Sequence, residues 1–228
     1  MIGVITMLTP KGGTGKSTMA RSLAAHWMSI GHNPALVDAD PQQTLASSYN
    51  PVGPMASIPI AAEPEERVAE VIEELRHKHR PVIVDTAGFR NRTAVRALIE
   101  TDLVIIPLKP SREDLEGAVA AYKLVQEIND TPEREGRPIQ ATMVLTMTMP
   151  NTVISRHVRD QIVQAGYPLL KSEMVNRVAY PETGIEGLSP SVVAPDGAAA
   201  RDIALIAQEI MNLEVSKLMK RKTKRGAA

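Results

Sequence analysis

Lys11-Gly12-Gly13-Thr14-Gly15-Lys16-Ser17-Thr18 holds the residues of this chain best suited to chemistry. Glycine at 12, 13 and 15 lets the backbone take positive φ and bring its N–H groups against phosphate oxygens with no Cβ between them. Where such a loop opens a helix, the free N–H groups and positive dipole end of that helix face the same anion. Lys16 would then reach the β/γ-phosphates and the Ser17 hydroxyl would ligate Mg²⁺, so the expected ligand is ATP with Mg²⁺. The strict phosphate-loop pattern has glycine where this sequence has Pro10. An apolar run before the loop and a helix-patterned run after it supply the context that a fortuitous glycine turn lacks.

Carboxylates follow in two further segments. Pro81-Val82-Ile83-Val84-Asp85-Thr86-Ala87-Gly88 is an apolar run closed by an acid, the Walker B arrangement. A carboxylate there hydrogen-bonds a Mg²⁺ water or Ser17. Thr86-Ala87-Gly88 would sense the terminal phosphate, with Gly88 permitting the backbone to move. Leu36-Val37-Asp38-Ala39-Asp40-Pro41-Gln42 sets Asp38 and Asp40 at another strand end, a pattern that by itself suits a turn as well as a site. His77 and His79 stand two apart near a helix end, do not converge on a metal and read as solvated. Met143, Met147 and Met149 read as adaptable packing, and Trp27 as core.

The loop resembles the deviant Walker A motif of the ParA/MinD group of ATPases, marked by a second lysine, here Lys11. The resemblance extends from Gly3 to about Leu213. It implies that two subunits sandwich ATP and that Lys11 crosses to the partner's nucleotide, favouring dimer and transition state as an arginine finger does. Without it, Lys11 reads as a solvated loop lysine. The Asp-x-Asp-Pro-Gln segment also resembles that group's, which implies that Asp40 positions the attacking water while Asp38 supports the Mg²⁺ shell. An indirect carboxylate suits an ion that keeps several waters.

Ile105-Ile106-Pro107-Leu108-Lys109-Pro110-Ser111 and Asp196-Gly197-Ala198-Ala199 look like short plasmid-partition ATPases of the group, which begin at the P-loop without a helix-turn-helix domain. That likeness implies an ATP-dependent homodimer, non-specific DNA binding on the nucleoid, and weak hydrolysis stimulated by a ParB-like adaptor. Candidate DNA contacts are Arg177 and a basic tail containing Lys217, Lys220, Arg221, Lys222, Lys224 and Arg225. A surface ion pair is the plain alternative for Arg177, and a solubilising end for the tail. A MinD-like membrane switch is the competing expectation, since Val215, Leu218 and Met219 flank the basic run. The absence of Trp, Phe or later large apolar residues there favours DNA. A ParA-like positioner of a protein assembly, or a scaffold that uses nucleotide only for folding, stay open.

Those residues need elements to hold them. Apolar β-branched runs alternate with helix-patterned segments, which predicts a three-layer α/β fold: a mostly parallel sheet with helices on both faces. Strands are expected over 2–8, 35–37, 81–84, 103–107 and 141–146, and helices over about 16–30, 63–79, 93–100, 114–128, 153–164 and 197–213. The Pro-, Ser- and Gly-rich stretch 41–59 reads as a mobile connection. One ATPase domain over 1–215 and a basic tail over 216–228 account for the chain. With no cysteine, thiolate-held zinc and iron–sulfur clusters are excluded. No apolar run is long enough to span a bilayer, and no signal peptide is expected, so a cytoplasmic setting is expected. The formal net charge of +0 argues against general attraction to polyanions, but the clustered tail leaves a local basic patch.

Overall fold

Continuous apolar runs become the strands of one parallel sheet. The computed structural model describes residues 2–225 except Pro51, Phe89 and Arg90, with side chains as far as Leu213. Strands β1 (Val4–Met7), β2 (Ala35–Ala39), β3 (Ile60–Ala62), β4 (Val82–Thr86), β5 (Leu103–Leu108), β6 (Gln140–Thr148) and β7 (Met174–Val175) lie in the order β3-β2-β4-β1-β5-β6-β7. All their pairings are parallel. The helices are α1 (Lys16–Ser29), α2 (Thr44–Ser47), α3 (Val68–Arg76), α4 (Arg92–Glu100), α5 (Arg112–Asn129), α6 (Val153–Gln164), α7 (Ala179–Ile185), α8 (Pro190–Val193) and α9 (Ala198–Arg225).

Every residue of β1, β2, β4 and β5 is buried, as a sheet covered on both faces requires. Alternate side chains choose the face. Ile5, Met7, Ile83, Leu103 and Ile105 pack with Leu23 and Trp27 of α1 and with Ile203, Ile206 and Ile210 of α9. Their neighbours point the other way: Val104 and Ile106 meet α4, α5 and α6, while Val4, Val82 and Val84 meet α3. The expected three layers are therefore present. Each large side chain so buried contributes about 1.5–3 kcal/mol.

Topology sets the site. From β1 the chain moves outward to β2 and β3, returns to β4 beside β1, then leaves across the other side through β5. The loops after β1 and β4 consequently diverge and leave a crevice at the strand ends. Register brings Met7 opposite Asp85 and Asp38 opposite Asp85, so the glycine loop and both acidic segments open onto that crevice.

Two expectations need correcting. The stretch 41–59 is packed: it forms α2 and buries Leu45, Met55 and Ile58 against the α1 face. Three isolated apolar residues carried no period, yet each found the core. The last helix also runs past Leu213 to Arg225, through the segment expected to be a tail. In addition, β3, β7, α7 and α8 extend the predicted set of elements.

Candidate functional site

The glycine loop leaves β1 and enters α1 through backbone that L side chains rarely adopt. Gly13 has φ +71° and Gly15 φ +89°, the latter as N-cap of α1. A Cβ on Gly15 would also lie 3.0 Å from the Met174 methyl, so both conformation and space call for glycine there. Thr146 of β6 ties the loop down from the far side: its hydroxyl donates to the Thr14 carbonyl at 2.9 Å. The Lys16 ammonium donates to the Lys11 carbonyl at 3.2 Å, curling the loop around itself. Burial pushes the Lys16 pKa down, against the pull of Asp85 and Asp40. Thr14 is buried, and its hydroxyl has no hydrogen-bond partner among the described residues.

Above the loop lies a cleft of about 450 Å³, within the usual range of small-molecule sites. Gly12, Gly13, Gly15, Lys16, Ser17 and Thr18 line its floor, and Asp40, Gln42, Thr44, Ala87 and Met147 its walls. Met147 is aimed there by an irregularity in the β6–β7 pairing, at φ +50°.

The acids divide their work. Asp85 is fully buried at the end of β4; no donor among the described residues meets its oxygens with full hydrogen-bond geometry, though the Ser17 hydroxyl acts on the carboxylate. Burial pushes its pKa up to about 7, while the Ser17 hydroxyl and the Lys16 ammonium pull it down. Asp38 is equally buried but accepts three backbone hydrogen bonds. Its Oδ1 accepts from Asp40 N at 3.1 Å, and its Oδ2 from Leu45 N at 3.0 Å and Ala46 N at 2.8 Å. Burial raises its pKa against those three bonds. Asp38 therefore organises the turn into α2. Asp40 lines the cleft and accepts from Gln42 N at 2.8 Å. Thr86 serves the scaffold too, donating to the Met7 carbonyl at 2.8 Å.

These residues fit ATP and Mg²⁺. A buried carboxylate beside a hydroxyl and an ammonium calls for a cation and its waters, and positive-φ glycines at a helix start call for phosphate. Ser17 would hold Mg²⁺ directly and Asp85 through water, with Lys16 on the terminal phosphates. The bound nucleotide supplies a phosphoryl group activated for transfer, and the protein's part is to bind, neutralise and position. No cluster of three or more His, Asp or Glu able to hold a metal occurs among the described residues.

Other predicted residues fall outside the cleft. Lys11 turns its ammonium to Asp114, 3.6 Å away. Arg177 makes a bidentate pair with Asp202, at 2.7 and 3.0 Å, and is 31% exposed. The side chains of Lys217, Lys220, Arg221, Lys222, Lys224 and Arg225 lie outside the described residues. His77 meets Glu73 and His79 meets Asn33, both in solvent. Sequence reasoning missed Thr146, Met147, Arg21 and Asp114. Arg21 is a buried cation on α1 that feels the charge of Asp85. Only Asp114 left a signal, in the spacing Ser111-x-x-Asp114 of a helix cap.

A family model, the CobQ/CobB/MinD/ParA nucleotide binding domain, matches residues 5–190. The chain belongs to that family. P-loop ATPase activity follows from membership in this ParA/MinD superfamily. The chain is 26% identical over 195 residues to maintenance of carboxysome distribution protein A from Halothiobacillus neapolitanus, covering 84% of this chain and 88% of that one. It is 29% identical over 182 residues to protein ParA of Rhizobium radiobacter, covering 78% and 80%. The crystal structure of the cell division ATPase MinD from Pyrococcus furiosus matches with a TM-score of 0.73 at 18% identity, covering 93% of this chain and 100% of that one. At that identity the likeness is one of fold. Relatives with three different names share this superfamily chain, and the short plasmid-partition type is not singled out. No described helix is long and apolar enough to cross a membrane.

Proposed function

We propose that this chain is an ATP-driven positioning switch: two copies close over ATP–Mg²⁺, the closed dimer holds a surface, and hydrolysis releases it. The observation that carries this reading is the buried Asp85 carboxylate acted on by Lys16 and Ser17, with Lys11 half-exposed at the rim of the same loop. Lys11 reaches the partner's phosphates in the dimer, and Asp40 orients the attacking water. Hydrolysis is slow in the isolated protein and is stimulated by an adaptor protein.

The surface is non-specific DNA, held through Arg177 and the basic end of α9, and the setting is the nucleoid. The cargo is a protein assembly or a DNA molecule. The relatives named for carboxysome distribution support the former.

Calorimetry with and without Mg²⁺, followed by light scattering, tests the switch. Lys16→Ala is expected to lose ATP binding, and Lys11→Ala to keep much of it while losing ATP-dependent dimers. Absence of Mg²⁺-dependent ATP uptake by the intact chain would refute the reading. DNA binding is expected to weaken with salt, log K falling by about 0.9 per log unit of salt for each phosphate neutralised. ATP-dependent binding to anionic liposomes with none to DNA would replace DNA by a membrane.

A further inference from the structure

Lys11 has a partner that neither its motif nor the superfamily assigns to it. Its ammonium stands 3.6 Å from Asp114 Oδ1, with the lysine side chain 46% exposed and the aspartate only 3%. That separation makes an ion pair but lies beyond a hydrogen bond, so the contact is attractive and unlocked. The other oxygen of Asp114 accepts from Lys109 N at 3.2 Å and lies 3.9 Å from the Lys109 ammonium. When Lys11 leaves, the buried carboxylate therefore keeps an N–H donor and a cation, and departure does not strand a charge.

The surroundings hold the pair in register while leaving the lysine side chain free. Ser111 caps the helix by accepting from Asp114 N at 3.1 Å. A Cβ on Gly117 would lie 2.8 Å from the Pro10 ring, so α5 packs directly on the start of the glycine loop. The Lys11 carbonyl is held by the Lys16 ammonium. In the nucleotide-free chain the backbone of Lys11 is thus held while its side chain stays half-exposed. Exposed Glu113 adds a second negative charge near Lys11.

We propose that Asp114 is the positioning residue of Lys11: it parks the lysine on its own subunit, and the ease of release sets how readily two copies close over ATP. This rests on the reading above in which Lys11 serves the partner's nucleotide. Two cations compete for one carboxylate, so the parking strength is tuned in opposite directions by its two neighbours.

The test uses the full chain with Mg²⁺ and a non-hydrolysable ATP analogue, adenylyl imidodiphosphate, and reads by light scattering the protein concentration at half-dimerisation. Asp114→Asn keeps the acceptor for Lys109 N and removes the charge. It is expected to lower that concentration about two- to fivefold, the scale of a partly exposed ion pair, and Asp114→Glu to restore it. Lys109→Gln removes the competing ammonium and is expected to raise it, and this surface variant decides the matter should Asp114→Asn fail to fold. Analogue affinity of the dilute monomer stays unchanged in all three. The proposal is overturned if Asp114→Asn leaves the half-point unchanged or raises it, if Lys109→Gln fails to raise it, or if the Lys11→Ala/Asp114→Asn double variant still dimerises. Wild-type dimerisation by Lys11→Ala alone overturns the underlying reading and the proposal together. Loss of dimers in Lys11→Ala with no shift in Asp114→Asn overturns the proposal only.

Discussion

Asp38→Ala takes away a carboxylate with no exposed surface that accepts from Asp40 N, Leu45 N and Ala46 N at 3.1, 3.0 and 2.8 Å. A buried donor left without an acceptor costs about 1–3 kcal/mol. The Leu45 bond is fully buried and the other two partly so, which brings the gross loss to about 4 kcal/mol. Removing the desolvated charge returns part of this, since burial raises the Asp38 pKa. The net expectation is about 2–3 kcal/mol, or roughly 4–10 °C in Tm for a domain of this size. Thermal unfolding of the nucleotide-free protein in EDTA measures it. Hydrogen exchange should show amides over 40–49 opening more than the rest of the chain. A Tm unchanged in EDTA, with destabilisation only when Mg²⁺ and ATP are present, would refute the reasoning.

Asp85→Asn should act with the opposite sign. The folded chain holds a proton between the ordinary carboxylate value of 3.8 and about 7 that the unfolded chain has already released. Native stability therefore falls as pH rises through that window. In EDTA the Asn variant should out-melt the wild type by about 2 kcal/mol near pH 8 and lose the advantage near pH 4; parallel Tm–pH curves would contradict this. Thr146→Val removes the bond that fixes the Thr14 carbonyl, and about tenfold weaker ATP binding by calorimetry is expected, with about 1 kcal/mol of stability lost. Gly187→Ala places a Cβ in the Ser48 carbonyl oxygen at φ +69°, whereas Gly136→Ala at φ +71° meets open space. Chemical denaturation should find the first variant worse by about 2 kcal/mol or more, because only it adds a clash to the conformational cost.

How much of this could be read in advance follows from how local each cause is. The first strand, glycine loop and α1 declare themselves because apolar period, glycine placement and Lys16-Ser17 all act within one short segment. Asp85 declares itself in the same way, closing a run of four buried residues. Asp38 did not, because its role depends on the chain turning back so that Leu45 and Ala46 offer their N–H groups. The pair Lys11–Asp114 and the bond Thr146–Thr14 join the glycine loop to a distant helix and strand, and only sheet order brings them together. The edge strand β3 is Ile-Ala-Ala, too short for a period, and α7 contains Pro181 and Gly184, which sequence rules count as breakers. The cap at Ser111 was legible and still said nothing about Lys11.

The sheet is finished by its two smallest strands, three residues of β3 on one side and two of β7 on the other. Pro59 and Pro64 bracket the former, removing ladder donors just where a neighbouring molecule would dock. Two such short margins, one of them proline-flanked, offer little template for main-chain pairing between molecules. Filaments of this protein would therefore have to grow through helices and loop rims, leaving their nucleotide control intact, instead of by zipping one sheet onto the next.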